Sequence, residues 1–382
     1  MPNEFTRRKA VTTLAVGSVA AVACTGRGEH HPVKHTQVQR EIPMESPILS
    51  EQALPQMGPM PTADPFLFCV HHCDDYPKGN AQYGPSVPLT GRQIGQDFAN
   101  RDGWNMYHGD RVPGFPRHPH RGFETVTIVK SGLIDHADSL GSAARYGDGD
   151  VQWLTAGDGI NHSEMFPLIN ASAKNPTDFF QIWLNLPARS KRVTPYFTMF
   201  WDNSVPVHKE KDQAGHETVV RVISGNYYRE RPPSPPPNSW ASAPGASVGM
   251  LTISMASNAH WNLPPGSSGL NRSLYVVQGA VSAGGGTGKS RWRYVLKSDR
   301  ALTLKAGKKG ATLLLLEGKP IGEPVAQHGP FVMNTQEEIA QAFADYRKTQ
   351  FGGWPWNSSE PTHGGDRLRF ARFADGRTDT PT

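Results

Sequence analysis

Cysteine is scarce in this chain, with three among 382 residues. Cys24 falls in a leader-like N-terminal segment, so Cys69 and Cys73 leave at most one bridge. Four residues apart on an extended strand, they are too distant to form it unless a turn intervenes. Two separately packed thiols are therefore expected. Long apolar runs are missing too. The run Ala10 to Ala23 is short and interrupted by Thr, Gly and Ser, which argues against a spanning helix. The formal net charge of +5 is modest, and no Lys/Arg block interleaved with aromatics accompanies it, which disfavours nucleic acid as a partner. Few stretches sustain a 3.6-residue apolar period. What the chain has instead is glycine (39) and proline (33), punctuating runs of Val, Ile, Thr and aromatics. That texture predicts a mostly β protein.

The first 24 residues carry Thr6-Arg7-Arg8-Lys9, a mild apolar stretch and small residues before Cys24, the pattern of an export signal. The paired arginines resemble a twin-arginine signal, and Ala21-Val22-Ala23-Cys24 resembles a lipoprotein cleavage box, so a lipid anchor at Cys24 is expected. The protein is then exported to a bacterial envelope, periplasmic or lipid-anchored; if the signal is misread, it is cytoplasmic. Residues 25–60 lack periodicity and read as a linker. Alternating strand signals fill 61–205, a first domain, and resume from 206 to 350, a second. The segment 351–382, rich in Gly, Pro and Arg, is expected to wrap the surface or fray. One helix stands out near the end of the second domain. Asn334 is its expected cap, Glu337 follows three later, and Ile339, Phe343 and Tyr346 form its apolar stripe.

Two short motifs carry the chemistry. In His118-Pro119-His120 and in His162-Ser163-Glu164 the metal-capable residues stand two apart, and on a strand such residues share a face. If the two strands are neighbours, three imidazoles and one carboxylate converge. That donor set suits a first-row transition metal with positions left open for oxygen or substrate. Strand parity places His118, His120, Gly122, Glu124, Val126 and Ile128 on one face. Pro119, Arg121, Phe123, Thr125, Thr127 and Val129 fall on the other. Polar ligands at one end of a face and aliphatics beyond them are expected of a barrel interior with a metal near its mouth. Val126, Ile128 and Trp153 are candidates for the cavity wall, with core packing the preferred role. The second domain repeats the strand texture but not the ligand pairs: around His260 no second His or Glu stands at strand spacing. One metal site is expected, in the first domain. The cluster Cys69, His71, His72 and Cys73 would alternate faces on a strand, which disfavours a second.

Two other patterns fail on context. Ala283 to Ser290 resembles a phosphate-binding loop, but a strand rather than a helix follows it, so a flexible hairpin loop is expected. Gly245-Ala246-Ser247-Val248-Gly249 has the spacing of a nucleophile elbow without the strand-turn-helix setting.

The run His118-Pro-His-Arg-Gly-Phe-Glu-Thr-Val-Thr127 closely resembles the signature of the pirin family, within the cupin superfamily. So do Gly149-Asp-Val-Gln-Trp153, Thr155-Ala-Gly157 and His162-Ser-Glu-Met165. Gly318-Lys-Pro320, Glu323-Pro-Val325 and Gly329-Pro-Phe-Val-Met-Asn-Thr335 resemble the end of the pirin C-terminal domain. The likeness covers roughly residues 62–350. It implies an all-β fold of two stacked cupin-like β-barrels (a bicupin) with a short helix near the C-terminus. It also implies one iron, most readily Fe(II), in the first barrel, held by His118, His120, His162 and Glu164. Glu124, where many cupins place a carboxylate ligand, becomes a supporting group or fallback ligand. The activity implied is an iron-dependent dioxygenase acting with O₂ on flavonols of the quercetin type or related phenols, with Glu164 as ligand and base together. The alternative implied is a non-enzymatic, metal- and redox-dependent regulatory partner. A monomer is expected.

Overall fold

The computed structural model describes residues 46–382, which form one compact unit. The expected export signal, Cys24 and the first part of the expected linker lie outside the described residues. Strands dominate, as the short β-branched and aromatic runs between turn residues require. They are β1 (Ile48–Ala53), β2 (Phe66–Tyr76), β3 (Gly114–His120), β4 (Phe123–Ser131), β5 (Leu133–Asp138), β6 (Ala143–Gly147), β7 (Val151–Thr155), β8 (Ile160–Met165), β9 (Asn175–Asn185) and β10 (Tyr196–Phe200). After them come β11 (Val207–Lys211), β12 (Glu217–Ser224), β13 (Gly249–Met255), β14 (His260–Leu263), β15 (Asn271–Ala283), β16 (Trp292–Leu296), β17 (Leu302–Gly318), β18 (Ala326–His328) and β19 (Phe331–Met333). The helix α1 (Gln336–Thr349) and two short strands, β20 (Phe370–Arg372) and β21 (Thr378–Asp379), end the chain.

The first domain is built from two sheets. One runs β10-β7-β4-β9-β2 and the other β21-β20-β6-β5-β8-β3. Between them lies a core that includes Val129, Ile134, Tyr146, Leu154, Ile160 and Phe179. The second domain is an eight-stranded sheet, β1-β16-β15-β17-β13-β12-β11 with β14 also on β17. It closes over its own core, which includes Val220, Ile253, Leu274, Leu304 and Leu313. A third core joins the domains: Val126, Ile128, Trp153 and Ile182 of the first pack with Ile223, Met250, Tyr275 and Leu314 of the second. The all-β, two-barrel architecture with one short C-terminal helix is as the sequence predicts.

Several boundaries differ from the sequence reading, each for a physical reason. Residues 48–53 are a strand, not linker: they pair antiparallel with β16. The C-terminal segment takes the first of its two expected courses and wraps, but it also forms a strand: β20 extends the first domain's sheet along β6. Helix α1 is capped one residue later than expected. Thr335 accepts from the Glu338 amide and the Glu338 carboxylate accepts from the Thr335 amide, a reciprocal box that Asn334 and Glu337 do not form. Ile339 and Ala342 are its buried residues, with Phe343 and Tyr346 packed at the edge of the same cluster.

The break that matters most for the site lies at Arg121-Gly122. The sequence reads as one strand through 118–129, but β3 and β4 belong to different sheets. Gly122 has φ +85, and a Cβ there would stand 1.9 Å from the Val332 carbonyl oxygen, so only glycine fits. The buried Lys191 ammonium fixes this corner, donating to the Gly122 carbonyl at 2.8 Å, Asn185 Oδ1 at 2.7 Å and the Val332 carbonyl at 3.2 Å. Arg121 ties it to the helix through Asp345 at 2.6 Å and to the Asp158 carbonyl at 2.7 Å.

Candidate metal centre

β3 and β8 are antiparallel neighbours, and His118 is directly opposite His162. The two-residue spacing then brings His120 and Glu164 to the same side of the sheet. The outcome is a cluster in which imidazole nitrogens of His118, His120 and His162 all lie within 4.8 Å of one another. Their ring centroids are 4.4–4.9 Å apart. Three imidazoles this close, deep in the protein, cannot all be charged. Burial and mutual repulsion hold His120 and His162 well below the usual histidine range, and burial brings His118 down to about 4. Neutral imidazoles are the form that ligates metal.

The donor atoms fit a metal ion. His118 Nδ1 donates to the Pro116 carbonyl at 2.8 Å, which leaves Nε2 as its lone-pair nitrogen. Neither ring nitrogen of buried His162 has a hydrogen-bond partner, and neither does His120 Nδ1. Buried nitrogens without partners are costly unless a ligand meets them.

Glu164 lies beside the three histidines without joining their tight cluster. Its Oε2 is 4.0 Å from His162 Nε2. Two residues from the opposite sheet hold the carboxylate. The Thr127 hydroxyl stands 3.2 Å from Oε1 and 2.6 Å from Gln181 Oε1, and the Gln181 amide donates to Oε2 at 3.2 Å. Burial raises the Glu164 carboxyl above its ordinary value, offset in part by nearby His136 and by these hydrogen bonds.

Glu124 is elsewhere. The turn at Gly122 reverses the parity of everything after it, so Glu124, Val126 and Ile128 face the second domain, while Phe123 and Thr127 face the cavity side. Glu124 accepts hydrogen bonds from Thr155 (2.7 Å) and from Ser239 of the second domain (2.6 Å). The expectation of Glu124 as a supporting or fallback ligand is therefore wrong. The preferred core role for Val126, Ile128 and Trp153 holds.

Sequence reasoning missed Thr127, Gln181 and His136. Thr127 was placed on the wrong face by the unseen turn, and Gln181 comes from a strand 54 residues away. His136 is fully buried, opposite Glu164 in register, with its Nε2 3.2 Å from Asp138. Its one sequence signal is the spacing His136-Ala137-Asp138, the same two-residue step as the ligand pairs.

The cluster opens onto a cavity of about 920 Å³. His118, His120, Glu164 and Gln181 are at one part of its wall; Phe68, Phe115 and Trp183 supply apolar surface; Arg117 and Arg291 also line it. Of the Cys69/His71/His72/Cys73 group, Cys69 is buried in the interdomain core and Cys73 is exposed, both free. His71 pairs with Asp178 at 2.8 Å outside the cluster.

Comparison with known proteins adds to this geometry. Residues 51–184 match the family described as Pirin, and residues 250–352 match the Pirin C-terminal cupin domain. A Vibrio cholerae protein provisionally named quercetin 2,3-dioxygenase is 36% identical over 242 residues, 63% of this chain and 81% of its own length. Human pirin is 32% identical over 262 residues, 65% of this chain and 81% of its own. A crystal structure of quercetin 2,3-dioxygenase from Acinetobacter baumannii superposes with a TM-score of 0.63. It covers 80% of this chain and 98% of that one at 24% identity, a likeness of fold.

Proposed function

Since the chain belongs to the pirin family, we propose that it is a mononuclear metal-dependent dioxygenase of flavonols or related phenols. One observation carries the reading: three neutral imidazoles and an adjacent buried carboxylate meet at the wall of a largely apolar cavity large enough for a polycyclic aromatic. In this reading His118, His120, His162 and Glu164 hold the ion, most readily Fe(II). The bound metal supplies the oxygen chemistry and a seat for a chelating enol. Glu164 takes the proton of that enol. Thr127 and Gln181 keep the carboxylate oriented, and Phe68, Phe115 and Trp183 exclude water and seat the rings. The name of the Vibrio cholerae relative supports the substrate class.

The test is elemental analysis of the native protein followed by oxygen uptake with quercetin. Iron near one equivalent and uptake abolished by His118→Ala are the expected results. No uptake across a panel of flavonols and catechols overturns the proposal. We also propose that the protein acts in the cell envelope, from the paired arginines at Arg7-Arg8; recovery only in the cytoplasmic fraction overturns this.

A further inference from the structure

β2 passes along the cavity wall, and its alternate residues His72, Asp74 and Tyr76 turn to the inside of the first barrel; Cys69 packs in the interdomain core, and His71, which also lines the cavity, is committed to Asp178. His72 is buried, and its ring stacks on Phe179 with centroids 4.6 Å apart. Its Nδ1 is 2.8 Å from the Tyr107 hydroxyl. The Tyr107 hydroxyl is already committed as a donor to Asp74 Oδ2 at 2.7 Å. Asp74 in turn is fixed by the backbone amide and side-chain amide of Asn105, both 2.9 Å from Oδ1. With Asp74 ionised, this chain of bonds has one consistent set of protons. A carboxylate can only accept, so Tyr107 donates to it, and the Tyr107 oxygen must accept from His72 Nδ1–H. His72 is thereby locked in the tautomer whose Nε2 carries the lone pair, and the residue lines the same cavity as His118 and His120. Phe115 stands between the two groups, its ring 5.8 Å from His72 and 6.4 Å from His118.

We infer that His72, locked by Tyr107 and Asp74, is a substrate-recognition residue that accepts a hydrogen bond from a hydroxyl on the part of a polyhydroxylated aromatic remote from the metal. The inference rests on the proposed function for the substrate's class, and on the His72–Tyr107–Asp74 geometry for the contact. Burial keeps the imidazole neutral, at about 3, far below working pH. Burial also raises the Asp74 carboxyl, to about 6, so above that pH Asp74 is an ionised acceptor and His72 is a fixed acceptor and not a proton carrier. Nothing else is asked of it: no bond is made or broken at His72, and no electrons move. A site built to pair a hydroxyl discriminates strongly against a ligand lacking one, because its own acceptor is left buried and unpaired.

The test compares quercetin with 3-hydroxyflavone, which keeps the chelating enol and lacks the remote hydroxyls. Equilibrium binding to metal-free full-length protein is followed by fluorescence quenching, so that the readout does not depend on turnover. The wild type is expected to prefer quercetin by roughly tenfold. His72→Phe, which keeps the stacking on Phe179, should erase the preference, and His72→Gln should restore part of it. Tyr107→Phe should weaken the preference without erasing it. Thermal melts confirm that each variant is folded; if His72→Phe is not, the Gln and Tyr107 variants decide. In the iron-loaded protein the His72→Phe effect should fall on KM, with kcat kept. An unchanged preference in His72→Phe overturns the inference, as does no preference in the wild type, while quercetin turnover leaves the proposed function standing. A preference that depends on His72, in a protein that consumes no oxygen, sinks the dioxygenase reading and supports this one.

Discussion

At the scale of single residues, the candidate site depends on groups outside its own donor set. The histidines arrive by strand register, but Glu164 is held by two side chains of the facing sheet. Gln181 is the stronger test of the pair, because its amide reaches both carboxylate oxygens, at 3.5 and 3.2 Å. In Gln181→Leu the three histidines are untouched, so metal content should stay near that of the wild type. The carboxylate loses an oriented donor inside the protein, and supporting partners of this kind are commonly worth roughly 10- to 100-fold in activity. The expected outcome is thus full metal by elemental analysis with oxygen uptake lowered by about that factor. Loss of metal instead would show that Glu164 placement governs binding, not turnover.

At the scale of elements, the two-residue period reads faces well within a strand and fails across a turn. His118-Pro119-His120 and His162-Ser163-Glu164 were legible because each lies inside one strand, and the register His118↔His162 did the rest. The corner at Gly122 was not legible as a change of sheet. The signals that create it, Lys191 and the Val332 carbonyl, lie far along the chain. The error moved Glu124 from the interdomain core to the metal site, and that core gives a sharp consequence. Burial pushes the Glu124 carboxyl up to about 7, against 4.5 for an exposed one, despite hydrogen bonds from Ser239 and Thr155. Folding therefore favours the protonated form. Stability from this group is complete below pH 4.5 and is lost as pH rises through about 7, a fall of about 3 kcal/mol. Glu124→Gln should remove that fall, so its melting temperature should exceed the wild type's at pH 8 and approach it at pH 4.5. The same slope in both proteins would show that the carboxyl titrates normally.

At the scale of the whole molecule, composition and texture made the β content of two strand-rich halves legible, and the likeness to the pirin family supplied the bicupin architecture. The ends of the chain were not legible. β1 joins the second domain's sheet and the C-terminal segment joins the first domain's, and neither has a local signal, because a lone edge strand is specified by its partner. The C-terminal segment lies beyond residue 352, where the family match ends, yet it completes a buried charge pair. Arg145 and Asp135 are fully buried and bonded twice, at 2.7 Å each. The remaining donors of Arg145 go to the carbonyls of Gly364, at 2.9 Å, and Asp366, and the His363 amide donates to Asp135 at 2.8 Å. The same segment reaches β3 next to the candidate ligands, where the Arg117 amide donates to the Ser359 carbonyl at 2.8 Å. A chain ending at Gly353 loses these bonds and uncovers the edge of β6. Bonds to charged groups are worth about 1.5–3 kcal/mol each, though water replaces part of what the segment supplies. Truncation should thus cost on the order of 3–5 kcal/mol, read as a lowered denaturation midpoint, while the three histidines keep their metal. An exposed pair at the same end, Arg367 with Asp148, is the internal control. Arg367→Ala should change stability by less than about 1 kcal/mol, and an equal effect of the two changes would mean that the strap acts through its surface charge and not through the buried arginine.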